Sequence, residues 1–419
     1  MLHFAWFVGK GCAVHGWKQP WSSLDGSDWL DPSLYLDLAR ALDRACFDYM
    51  IIEDGSFVPD AFQGGPEWHL RNAAMVPKAD PMPMIPLLGQ VTSGLGLIAT
   101  MTTAFYPPFL AARLAATLDH LTKGRVGLNL VTAHNDRSAQ NFGLERHHEH
   151  DLRYEMADEW VDLVDRLWRS WAPGAVRGDR DVFADPALIK PIDFEGRFFK
   201  CRGPLNMPPG PQVRPVICQA GGSPAGRQFA AQHADTIIAR ARGPEGAKAY
   251  RDDVRGRMMA LGRSPDHCKT LFSVAVVLGE TRAEALEKKQ RIDAATVANI
   301  DGKLAYMSFL SGIDFAKFDL DVPMPEVKTN ASRSLTQHYT KDSGKKTLRE
   351  MASDTHSGGI DFVGTPDDVA AEMDEVMQHV GGDGFPVQRG DHAAHDRRDL
   401  RGPGAGTEAA WDAADRLRT

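Results

Sequence analysis

Three observations predict an α/β chain folded as a TIM-like (β/α)8 barrel with insertions. Short runs rich in β-branched or aromatic residues alternate with longer helical patterns seven or eight times along the chain. The run Pro215–Ala220 is apolar but for Gln219, as expected of a parallel strand covered on both faces. No G-x-G-x-x-G follows an early strand, so an open dinucleotide-binding sheet lacks its fingerprint. The chain has 419 residues. A barrel takes ~250, which leaves about 170 for insertions and terminal extension.

In order, Leu2–Val8 reads as a strand, and Leu34–Cys46 as an amphipathic helix with apolar positions three and four apart. Tyr49–Ile52 is a strand that ends at Glu53-Asp54-Gly55. Leu95–Thr103 is the next strand, followed by a Pro-Pro start and the helix Leu110–Leu121. Gly124-Arg125 turns into the strand Val126–Thr132, and the helix Arg153–Trp171 comes after it. Pro215–Ala220 leads through Gly221-Gly222-Ser223 into the helix Ala225–His233. Thr236–Ala239 and Leu271–Leu278 are further strands, with helices Pro244–Leu261 and Arg282–Thr296 behind them. Asp361–Pro366 opens one more helix, ending near Val380. Insertions are expected at Ser22–Asp31, Ala172–Gly196 and Asn299–Ser357, the last as a lid whose Lys341–Lys346 part is mobile.

Composition narrows the function classes. Lys and Arg number 48 against 56 Asp and Glu, a formal charge of −8, which gives no electrostatic reason to expect nucleic acid. There is no long apolar run for a membrane span and no basic n-region for secretion. Five scattered cysteines without a CxxC pair argue for the cytoplasm and against disulfides or a zinc knuckle.

In a barrel of this kind, chemistry sits at the C-terminal ends of the strands. Those ends carry Asp54, Thr100, Thr102, Thr103, Asn129, Thr132 and Gly221-Gly222-Ser223. They are mostly neutral donors and acceptors, suited to a polar planar ligand and its phosphate rather than to hydrolysis by paired carboxylates. The Gly-Gly-Ser turn into a helix can bind phosphate through its N–H groups and dipole; it also serves as an ordinary capped turn. His150 and Tyr154 lie four apart on one helical face. The stretch His147-His148-Glu149-His150-Asp151 invites a metal, but adjacent residues diverge and HExxH is absent, so solvated histidines are expected there and no metal. Cys12 and Cys218 read as structural, Arg240 and Arg242 as surface residues.

Gly124-Arg-Val-Gly-Leu-Asn-Leu-Val-Thr132 with Asn141-Phe-Gly143 resembles the G-R-x-G-W-N-x-V-T…N-F-G stretch of the nitrilotriacetate monooxygenase family, a branch of the bacterial-luciferase-like superfamily. Trp17–Pro20, Ile52–Asp54, Phe198–Asn206, Pro215–Ser223 and Gly381–Phe385 extend the match over roughly residues 3–385. The resemblance implies a homodimeric barrel that binds reduced FMN and is supplied by a separate NAD(P)H:flavin oxidoreductase. It implies insertion of one atom of O2 into a small organic substrate through a flavin C4a-(hydro)peroxide. Carried over residue by residue, it assigns FMN contacts to Asp54, Thr100, Asn129, His150, Tyr154 and Ser223, with His150 also the catalytic candidate. Leu128 stands where the family has Trp. A deazaflavin (F420) oxidoreductase and a non-catalytic flavin-binding paralogue are the alternatives.

The match stops at Phe385, where an Arg-, Asp-, Ala- and Gly-rich run begins. This divides the chain into a barrel, 1–385, and an atypical tail, 386–419. The tail is expected to be the product of a shifted reading frame and to be loosely packed from Gly390 onward.

Overall fold

The computed structural model describes residues 2–15, 17, 28–323, 325, 344–354 and 359–388. Its main sheet contains β1 (His3–Val8), β2 (Tyr49–Ile52), β3 (Gly96–Thr102), β4 (Val126–Val131), β5 (Val216–Gln219), β6 (Thr236–Ala239), β7 (Lys269–Phe272), β8 (Val274–Leu278), β9 (Ile360–Gly364) and β10 (Gly384–Gln388). Strands β1 to β7 pair in parallel in chain order, and β10 pairs with both β7 and β1. That closes a parallel barrel of eight strands. β8 continues β7 past Ser273, pairs with β10, and carries β9 on its other edge.

The principal helices are α1 (Ser33–Arg44), α2 (Met84–Val91), α3 (Pro108–Leu121), α4 (Asp136–Asn141), α5 (His150–Trp168), α6 (Pro224–His233), α7 (Gly243–Ala260), α8 (Arg282–Ala298), α9 (Ile300–Ser311) and α10 (Pro366–Val380), with short helices at Glu67–Asn72 and Leu348–Ala352 besides. Side chains alternate along each strand, so two cores form. Ala5, Tyr49, Ile51, Ile98, Cys218, Ile238 and Leu271 make one buried cluster inside the ring. There the Tyr49 hydroxyl meets Thr236 Oγ1 at 3.0 Å. Their alternates, among them Phe4, Trp6, Met50, Ile52 and Leu97, pack outward into the larger core beneath the helices.

Two residues of the Gly124–Thr132 motif serve this architecture. Arg125 ties the strand bases together, donating to Gly89 O at 2.8 Å, Leu95 O at 3.1 Å and Thr92 Oγ1 at 2.7 Å. At Gly127 a Cβ would lie 2.8 Å from Ile98 Cγ1, so the glycine admits the neighbouring strand's side chain.

Most expected elements are present, with boundaries moved by one to three residues. β9 occupies Ile360–Gly364 ahead of α10, whose Thr365 cap forms a capping box with Asp368. α2, α4 and α9 were not expected, nor was β10, whose Pro386–Gln388 half falls in the segment assigned to the tail. The insertion after α8 has a small core of its own, in which Leu304, Phe315, Leu348 and Ala352 pack on Phe62. The expectations for Lys18–Pro20, most of Ser22–Asp31, Lys341–Ser343 and Gly390–Thr419 lie outside the described residues.

Candidate active site

Parallel register places Thr100 of β3 beside Asn129 of β4 at the barrel mouth. The Thr100 hydroxyl donates to Ile52 O at 2.8 Å and accepts from Asn129 Nδ2 at 2.9 Å. Because Thr100 spends its only proton on Ile52, the Asn129 amide must turn its NH2 towards it. Asn129 Oδ1 is then buried with no hydrogen-bond partner. An orphaned buried acceptor costs about 1–3 kcal/mol, and a donor on a bound molecule would remove that cost.

A second group forms where β5 runs into α6. Ser223 caps the helix, its Oγ accepting from Gly226 N at 3.1 Å, and Pro224 follows at the first helical position. Burial pushes the Tyr154 phenol up, against hydrogen bonds from the side chains of Ser223, Gln219 and Thr132. A Cβ on Gly226 would lie 2.9 Å from Tyr154 Oη and 3.0 Å from Gly221 Cα. The glycines therefore leave a cradle at the start of a ten-residue helix, lined by hydroxyls and backbone N–H groups. His150 opens α5, buried, with Nδ1 2.6 Å from Asp151 Oδ1 and its ring 5.2 Å from that of Tyr154.

The third group surrounds Asp54 after β2. Burial pushes its carboxyl up to about 6, and Glu53 and Asp80 act in the same direction. Glu53 is paired with Lys78, whose side chain is only 4% exposed. The antiparallel bridge between Cys12–Ala13 and Lys78–Ala79 brings these elements together. Burial, with Asp54 next in weight, pushes the Cys12 thiol up to about 12, so it stays protonated and inert as a nucleophile.

The six predicted site residues thus fall into three groups at the strand ends: Asp54, Thr100 with Asn129, and His150 with Tyr154 and Ser223. Among the described residues no cluster of three His, Cys, Asp or Glu has metal-binding geometry. One expectation is corrected: His147 is buried, not solvated. His147 Nε2 reaches Thr132 O at 2.8 Å while Nδ1 accepts from His148 N at 3.0 Å. That fixes the neutral Nε2–H tautomer, and burial with the nearby Arg153 lowers the pKa to about 4. Sequence reasoning also missed Gln219, Lys78 and His134. Two carried a signal: His134 lies two residues beyond Thr132 at a barrel strand's end, and Gln219 is the polar last residue of β5.

A family model described as luciferase-like monooxygenase matches residues 18–384. The chain belongs to that family. This luciferase-like monooxygenase is 36% identical over 376 residues to a dimethyl-sulfide monooxygenase of Hyphomicrobium sulfonivorans, covering 88% of this chain and 78% of the relative. It is 35% identical over 403 residues to a dibenzothiophene-sulfone monooxygenase of Rhodococcus erythropolis, covering 92% and 87%. Its fold superposes on that of a riboflavin lyase, solved with modified FMN and riboflavin, at a TM-score of 0.87 and 27% identity, covering 100% and 91% of the two chains. These matches establish the family without singling out the nitrilotriacetate branch. Among the described residues, no helix of this luciferase-like monooxygenase is long and apolar enough to cross a membrane.

Proposed function

We propose that this enzyme is the oxygenating component of a two-component system, of the nitrilotriacetate monooxygenase type and acting as a cytoplasmic homodimer. It uses O2 and reduced FMN, the latter supplied by a separate NAD(P)H:flavin oxidoreductase, to insert one oxygen atom into a small organic substrate. The observation that carries this reading is the orphaned Asn129 Oδ1 at the mouth. A planar ring with N–H donors satisfies it, and the Ser223 cradle fits that ring's phosphate. Relatives named as monooxygenases, and a structural neighbour solved with modified FMN, support it.

When bound, reduced flavin supplies the two electrons with which O2 delivers one atom to the substrate and the other to water. The chain's residues bind and orient. Thr100 locks the Asn129 amide so that Oδ1 accepts a ring N–H. The Ser223 hydroxyl, the Ala225 N–H at the start of α6 and the Tyr154 hydroxyl would hold the phosphate. Asp54, its carboxyl held near neutrality, accepts or donates at the ring's polar edge. Asp151 orients the His150 ring, to which the proton-handling role is assigned.

Reconstitution with FMN, NADH, a flavin reductase and O2, read by mass spectrometry, is expected to add one oxygen to members of an organic panel. No such product across the panel overturns the reading. Asn129→Leu keeps Thr100 bonded to Ile52 and removes the unsatisfied acceptor. It is expected to weaken FMN binding at least tenfold, by fluorescence titration, while the melting temperature holds or rises.

A further inference from the structure

A cavity of about 420 Å³, a size suited to a small organic molecule, is lined by Phe57, three residues past Asp54, and by His134, two past Thr132. It lies between the segment after β2, the segment after β4 and the insertion helix α9. One wall is apolar, where Phe57 and Phe309 stack at 5.4 Å and 10°. His134 stands edge-on to Phe309 at 6.1 Å, and its Nε2 is buried without a hydrogen-bond partner. Burial, then Arg153, lowers the His134 pKa to about 4, so the ring is neutral near pH 7 and offers one uncharged hydrogen bond.

The charged groups on the other wall are unequal. Asp60 is engaged by Arg137, Oδ2 to Nε at 2.9 Å, and Asp136 accepts the His147 backbone N–H at 3.0 Å. Asp60 is neutralised by its ion pair, whereas Asp136 holds a backbone N–H and keeps its charge; exposed Arg146 is the lining cation with no paired carboxylate among the described residues.

We propose that this cavity is the substrate pocket and that it takes a carboxylate-bearing molecule with an apolar or aromatic body. Arg146 binds the carboxylate, the Phe57–Phe309 wall receives the body, and His134 Nε2 hydrogen-bonds a polar atom between them. Guanidinium donors match a carboxylate in geometry as well as charge. The inference rests on the oxygenase reading for what happens to the molecule, but not for its binding.

The test therefore uses the flavin-free full chain. Calorimetric titration compares phenylacetate with phenylacetamide, which share a body and differ in charge. Phenylacetate is expected to bind at least tenfold more tightly, and Arg146→Gln to reduce that ratio to within twofold. The neutral probe reports on folding, since a collapsed variant would lose both. Equal affinity for the two probes, a ratio unchanged in Arg146→Gln, or binding of neither probe overturns the proposal. Charge-dependent binding with no oxygenated product in the panel would instead fault the oxygenase reading and leave this pocket assignment standing.

Discussion

Burial holds the Asp54 carboxyl up at about 6 against an ordinary value of 3.8, and Glu53 and Asp80 push the same way. At a pH below both values the group is protonated whether the chain is folded or not. Between them the unfolded chain has released a proton that the fold retains, so stability falls as pH rises. Above about 6 both states are ionised and the loss is complete. Asp54→Asn abolishes this titration. Its melting temperature relative to the parent is expected to climb from pH 4 to pH 7.5, read by calorimetry at matched ionic strength. A flat or falling difference would rule out burial as the cause. At this scale the sequence exposed Asp54, Thr100 and Asn129 because strand ends and alternation are local properties. It misplaced His147, because only the fold of the loop before α5 brings that ring under Thr132 and within 5.3 Å of Phe105.

Helices α6 and α7 hold glycines with opposite roles. A Cβ at Gly226 would meet Gly221 Cα, which is backbone and cannot swing aside, and would crowd Tyr154 Oη. Gly226→Ala is expected to deform the cradle and lower FMN affinity at least tenfold, read by equilibrium titration. At Gly256, inside α7, nothing lies within 4 Å of the added atom. Gly256→Ala should therefore stabilise by about 0.5–1 kcal/mol through helix propensity and backbone entropy alone. Urea unfolding checks this, and a destabilised Gly256→Ala would refute the open-space argument. The α6 turn was legible because Gly-Gly-Ser-Pro carries its own capping chemistry. β10 was not: Gly384-Phe-Pro-Val-Gln388 puts glycine and proline where strand propensity disfavours them. Its pairing with β1, β7 and β8 is decided by partners far away in sequence.

Closure of the ring depends on that last strand. The strand–helix count argued for a barrel over an open sheet, but the eighth strand comes only after the long insertion and β9, where local patterning is least informative. β10 joins the two ends of the sheet, pairing His3 through Trp6 with Gly384 through Val387. Phe385 is fully buried, its ring 5.5 Å from Phe362 at 81° and 6.4 Å from Phe4. Phe385→Ala leaves the backbone ladder intact and opens a cavity, a cost of about 3–5 kcal/mol. It should lower the urea midpoint while keeping one cooperative transition. Ending the chain after Asp383 removes the ladder itself and leaves β1 and β7 with unpaired edges, an invitation to aggregation. That truncation is expected to abolish cooperative unfolding and yield aggregated protein in size-exclusion chromatography. A truncated chain that stays monodisperse and melts cooperatively at the parent temperature would show that the barrel does not need its eighth strand.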